Sequence, residues 1–147
     1  MRWRHEDFAL TRLHICVWQG HIGAAEAIGD IHFWGQGAAI DYPRAMAAYK
    51  VGAEGGDAFC QWEVGFMYSE GLGVAVDLKQ ARAWLEKAAA GNIPAAFTTL
   101  WVMYLSGDGV TPSFRRAREL YQRSIELGES QAVEGMQNLT MNIQKVS

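Results

Sequence analysis

Cysteine, net positive charge and long apolar runs are all scarce in this chain of 147 residues. There are two cysteines, Cys16 and Cys60, too few and too differently placed to make a repeating disulfide framework. Both read as small apolar fillers with free thiols in a reducing compartment. The net charge is −3, with acids and bases interspersed. A dedicated nucleic-acid binder carries a basic patch or stripe, and the short start Met1-Arg2-Trp3-Arg4 is too small to be one. No apolar run approaches the roughly 18 residues of a membrane helix. The N-terminus has no apolar core of a leader peptide and no small-residue cleavage site, so the expected location is the cytoplasm, or the periplasm had a leader been removed.

Catalytic signatures are missing too. The chain has no H-E-x-x-H and no G-x-S-x-G. His5, His14, His21 and His32 have no Cys, His or carboxylate at a spacing that recurs or clusters. Asp30 and His32 stand two apart and cannot share a helix face. The expectation is therefore a protein that is not an enzyme, with no cofactor, no metal and no catalytic residue.

What is present is a repeat. Half of the chain is apolar, and the stretch from Asp57 to Asn92 recurs on either side of itself. Shifted back by 36 residues, Gly65, Gly71, Gly73, Asp77 and Ala81 fall on Gly29, Gly35, Gly37, Asp41 and Ala45. Shifted forward, Tyr68, Gly71, Gly73, Val74 and Ala81 fall on Tyr104, Gly107, Gly109, Val110 and Ala117. A period of this length, held without insertion, marks a solenoid. Its core is a ribbon between stacked units, each covering its neighbour.

Each unit splits in two. In the central one, Ala58 to Ser69 has a helical pattern, with Cys60, Val64 and Tyr68 at steps of four. Gly71-Leu72-Gly73-Val74 breaks it with two positions free to adopt positive φ. A second helix runs from about Leu78 to Ala90, with Asp77 as N-cap. Ala81, Trp84, Leu85, Ala88 and Ala89 form its apolar face. Gly91-Asn92 suits a left-handed C-cap. One unit is thus helix A, glycine turn, helix B. The same context makes Gly35-x-Gly37, Gly71-x-Gly73 and Gly107-x-Gly109 structural turns. They follow helices and lack the third glycine of a dinucleotide loop.

The domain reading is a single solenoid over 1–147. Residues 6–20 align with helix B alone and form an N-terminal cap, followed by units at 21–56, 57–92 and 93–128. Residues 129–145 align with helix A alone and form a C-terminal cap. The expected architecture is all-α, a right-handed superhelix of antiparallel helix pairs with about eight helices.

The pattern Ala-x-x-x-(Ile/Val/Leu)-Gly-x-x-(His/Tyr)-x-x-Gly-x-Gly-(Ala/Val), then Asp, Ala81-x-x-Trp84 and Lys87-Ala88-Ala89, resembles the Sel-one-like repeat (SLR) family, relatives of the tetratricopeptide repeats. The likeness spans essentially the whole chain. Two residues depart from it: Trp101 replaces the glycine seen at Gly29 and Gly65, and Ser113 replaces the capping Asp. A ring at Trp101 is expected to widen the third unit or to point outward.

By that resemblance, the face of helix A opposite the core lines a concave groove where ligands bind. With Ala24, Ile28 and His32 facing inward, the opposite stripe is Glu26, Asp30, Phe33 and Trp34. In the second unit it is Phe59, Trp62, Phe66 and Glu70, and in the third Thr98, Val102 and Leu105. Rings at positions that the repeat leaves free, rimmed by carboxylates, have the anatomy of an interface hot spot. The expected contacts are Phe33, Trp34, Phe59, Trp62 and Phe66, with Glu26, Asp30 and Glu70 as the rim.

The expected function is non-catalytic binding of another protein, as a bacterial adaptor or a toxin-neutralising immunity protein whose partner is encoded nearby. Two alternatives follow from the same features. Cysteine-rich family members have been described as hydrolases of β-lactam-type antibiotics, but this chain lacks their repeated cysteines. Self-association through the aromatic groove would give a structural homo-oligomer.

Overall fold

Six α-helices of thirteen residues each follow one another between Ile22 and Glu126 in the computed structural model, which describes residues 22–128. They are α1 (Ile22–Trp34), α2 (Tyr42–Glu54), α3 (Ala58–Glu70), α4 (Leu78–Ala90), α5 (Pro94–Ser106) and α6 (Phe114–Glu126). The odd-numbered helices are the A helices and the even-numbered ones the B helices. The expected caps at 6–20 and 129–145, with Trp3, Cys16, His5, His14 and His21, lie outside the described residues.

The turn from A to B is built the same way three times. The first turn glycine takes a left-handed conformation and closes helix A, as Gly71 does by donating to the Met67 carbonyl (φ 71°). The residue before helix B then acts twice. The backbone N–H groups of Asp41, Asp77 and Ser113 donate to the carbonyls of His32, Tyr68 and Tyr104 at 2.8, 3.0 and 3.0 Å. Their side chains accept from the N–H of Arg44, Gln80 and Arg116, which satisfies orphan donors of the first turn. Ser113 thus keeps the capping role of the aspartate it replaces. At the end of α4 the left-handed residue is Asn92 (φ 59°), whereas Gly91 stays at φ −84°. The C-cap expected of the pair therefore falls on its second member.

Units join through the second turn glycine. A Cβ on Gly73 would lie 2.5 Å from the Tyr42 carbonyl carbon, and one on Gly109 would lie 2.5 Å from Leu78 Cβ. Each turn therefore seats on the first residue of the preceding B helix, at positive φ, where only glycine fits without strain.

Helices pack in sequence, A on B within a unit and B on the next A, and α1 also touches α3 directly. Two buried clusters form the ribbon, one around Tyr49, Cys60, Val64 and Met67, the other around Leu85, Phe97, Leu100 and Trp101. Cys60 is fully buried as a free thiol and rests on Gly52, where a Cβ would come within 2.5 Å of its Sγ.

Trp101 corrects the sequence expectation. It does not point outward. The ring is 7% exposed and meets Tyr121 edge to face at 5.8 Å. In the first two units a glycine lies under the matching helix B residue, Gly29 under Tyr49 and Gly65 under Leu85. In the third the bulk has moved to helix A, and Tyr121 is left half-exposed.

Candidate functional site

On α3, Phe59, Trp62 and Phe66 sit at i, i+3 and i+7, which places them on one helix face. Phe59 and Trp62 meet at 5.7 Å between ring centroids, and Trp62 stacks on Phe66 at 5.8 Å with a 22° tilt. Phe59 is exposed, and the other two are half-buried. Trp62 reaches the cluster of the third unit, and Phe66 reaches the cluster shared by the first two. The ladder therefore spans a junction between units. The Trp62 indole N–H is buried with no acceptor among the described residues.

Beside this ladder runs a groove of about 370 Å³ between α3 and α5. Phe66, Thr98, Val102 and Met103 line it, with the carboxylates of Glu70 and Asp108. Phe66 and Glu70 of the expected site thus meet Thr98 and Val102 of the third unit's stripe.

Phe33 requires a correction. It is 9% exposed and belongs to the core, meeting Tyr42 at 5.4 Å and Tyr49 at 6.4 Å. Gly29 draws the Tyr49 ring in against α1, and Phe33, one turn further on, packs against that ring. The core face of α1 is therefore Ala25, Ile28, Gly29, His32 and Phe33, turned by one residue from the expected Ala24, Ile28 and His32. Trp34, 62% exposed, rests edge-on against Phe33 at 4.9 Å, apart from the α3 ladder.

The two remaining rim residues lie on α1. Asp30 Oδ1 accepts a hydrogen bond from the Tyr49 hydroxyl at 2.6 Å. Burial, helped by that bond, pushes the Tyr49 phenol well above its ordinary range. Glu26 is half-buried, and burial together with Asp57 and Asp30 raises its pKa above the usual carboxylate value.

The sequence reading missed a third member, Glu63. It lies on α3 between the turns that carry Phe59 and Phe66, and is only 5% exposed. Burial first, then the charges of Asp30 and Glu26, push its pKa up to about 7. One signal could have found it: the matching positions in the other units are Ala27 and Thr99, so Glu63 is a charge where the repeat has none.

Among the described residues no three His, Cys, Asp or Glu side chains are placed to hold a metal ion. No helix there is long and apolar enough to cross a membrane.

The Sel1 repeat profile matches residues 23–57, 58–93 and 102–129. A Sel1 repeat protein from Oxalobacter formigenes superposes with a TM-score of 0.73 at 32% identity, over 76% of this chain and 45% of that one. A protective antigen of uropathogenic Escherichia coli strains, displaying an SLR fold, does so at 0.79 and 32%, over 82% of this chain and 26% of that one. The chain thus spans less than half the length of either relative. Cysteine rich protein B of Helicobacter pylori shares the fold, with a TM-score of 0.65 at 19% identity, over 85% of this chain and 95% of its own. No curated protein matches the sequence.

Proposed function

Since this chain belongs to the Sel1 repeat family, whose members are generally protein-interaction modules, we propose that its A-helix face binds a partner protein without chemistry of its own. The observation that carries this reading is the stacked Phe59–Trp62–Phe66 ladder bordering an open groove. Rings that are stacked in advance lose little conformational freedom on binding, which suits them as anchors. Phe59, Trp62 and Phe66 are the anchors and Glu70 their rim, while Trp34 is a separate, peripheral contact. Phe33 supports Trp34 from within. The carboxylates favour basic groups on the partner and speed encounter.

Within this reading the protein is a bacterial adaptor or an immunity protein that neutralises a toxin encoded nearby. The test is a pull-down from source-cell extract with the wild type beside Trp62→Ala/Phe66→Ala, checked for intact helicity. The captured protein is then purified and its affinity for both baits measured. A partner bound by the first and lost by the second supports the groove. Equal affinity for both baits places the contact on another face. Rescue of cells from a captured toxin on co-expression distinguishes the immunity role from the adaptor role.

A further inference from the structure

The groove between α3 and α5 has hydrogen-bond acceptors along its walls and no donor to spare. None of the side chains that line it carries a nitrogen. Three of them are hydroxyls, each already engaged. Ser69 Oγ donates to the Phe66 carbonyl at 2.8 Å, and Thr99 Oγ1 donates to the Ala95 carbonyl at 2.9 Å. Thr98 Oγ1 lies 3.4 Å from the Pro94 carbonyl and 2.9 Å from the buried Ser124 hydroxyl. The Asp108 backbone N–H turns to Ser106 Oγ. What the groove offers is lone pairs, on these hydroxyls and on the carboxylates of Glu70 and Asp108.

Those two carboxylates have no cation among the described residues. The ion pairs there lie at the start of α2, Arg44 with Asp41, and on α6. Asp108 Oδ2 accepts from the Ser106 hydroxyl at 2.6 Å, which orients it without neutralising it. Both acids are exposed, and alone they would be an ordinary solvated rim. Here they border an apolar floor of Phe66, Leu78, Val102 and Met103. Trp62 stacks on Phe66 and holds that ring in place.

A group that fits must bring donors, positive charge and apolar length together. A carboxylate would be repelled, and an amide would bring its carbonyl oxygen to walls with no hydrogen to give. Lysine has a compact, strongly hydrated charge. Arginine has a planar fork of N–H donors, is more weakly hydrated and stacks on rings. At about 370 Å³ the groove is near the lower end of small-ligand pockets, which start at about 300 Å³. That size suits one long side chain with the backbone that carries it.

We propose that this groove receives an arginine side chain of the partner protein, its stem lying on Val102 and Met103 and its guanidinium donating to Glu70 and Asp108. This rests on the reading of the A-helix face as a protein-binding surface and names the side chain that the face selects. The aromatic ladder anchors apolar groups of the partner. The arginine beside it fixes the partner's register across the junction between the second and third units.

The experiment is an NMR titration of the whole protein with N-acetylarginine methylamide, beside the citrulline and lysine counterparts. Citrulline keeps the length of arginine but is neutral and carries a carbonyl oxygen. The signals followed are the methyl groups of Val102 and Met103. The expected result is a saturable shift of both with the arginine probe, about tenfold weaker binding of citrulline and weaker binding of lysine. In Glu70→Gln the arginine affinity falls about tenfold, the scale of one charge-assisted hydrogen bond. Glu70 is exposed at the end of α3, and a melting curve establishes that the variant folds.

Equal affinity for citrulline, lysine binding as tight as arginine, unchanged affinity in Glu70→Gln, or no shift of the two methyl signals would each overturn the proposal. A captured partner that Trp62→Ala/Phe66→Ala loses but Glu70→Gln binds with full affinity would leave the ladder standing and remove the arginine site.

Discussion

The Tyr49 hydroxyl donates to Asp30 Oδ1 at 2.6 Å, joining the buried core of the first helix pair to a carboxylate of α1. Tyr49 itself has no exposed surface. Tyr49→Phe keeps the ring and removes only this bond, so it is expected to lower stability by about 1.5–3 kcal/mol, the range for a hydrogen bond to a charged group. Urea unfolding of the single and double variants with Asp30→Asn measures it. Losses that simply add would mean the bond carries no coupling energy.

The same tyrosine explains why a glycine stands in the middle of α1. A Cβ on Gly29 would overlap the Tyr49 ring, whose side chain has nowhere to go. Gly29→Ala is expected to destabilise, because overpacking costs about 1–3 kcal/mol and outweighs the helix propensity gained. Gly23→Ala, six residues earlier in the same helix, meets no described residue within 4 Å. It should gain about 0.5–1 kcal/mol. Thermal melts of the two variants should therefore move in opposite directions.

The local features of the fold were legible in the sequence and the side-to-side ones were not. The glycine turns and the Asp and Ser caps are signals of a few residues, and the 36-residue period multiplies each of them. Burial on the A face depends instead on what the next helix brings. Glu63 is buried in the stack, and the acids that raise its pKa, Asp30 and Glu26, lie on α1, more than thirty residues upstream. Phe33 is buried because Tyr49 fills the space over Gly29. The stripe of α3 could be read as rings at helical spacing, but the carboxylate among them fell between the two faces assigned to that helix.

Trp101 offers a test of how far a repeat pattern should guide engineering. Restoring the repeat's own residue, Trp101→Gly, would remove a ring packed on Tyr121 and leave a void between α5 and α6. The expected cost is about 3–5 kcal/mol, as for other buried aromatic truncations. Trp101→Phe keeps a ring there and deletes an indole N–H that has no acceptor among the described residues. Its cost should stay under about 2 kcal/mol. A melting temperature for Trp101→Gly equal to the wild type would mean that Tyr121 refills the space.

Glu63 should make stability depend on pH in a direction opposite to that of salt-bridged carboxylates. In the unfolded chain it loses its proton near the ordinary 4.5, whereas in the fold it holds it up to about 7. The native state therefore binds more protons across that window. The stability that the group contributes is complete below the unfolded value and is lost as pH rises through the folded one. The total is of order 3 kcal/mol, at about 1.4 kcal/mol for each pH unit of the window. Urea unfolding between about pH 5 and pH 8 should show wild-type stability falling by that amount. Glu63→Gln, which cannot ionise, should follow a flatter curve and be the more stable protein at the alkaline end. A variant curve parallel to the wild type would assign the slope to other groups and leave Glu63 ionised in the fold at neutral pH.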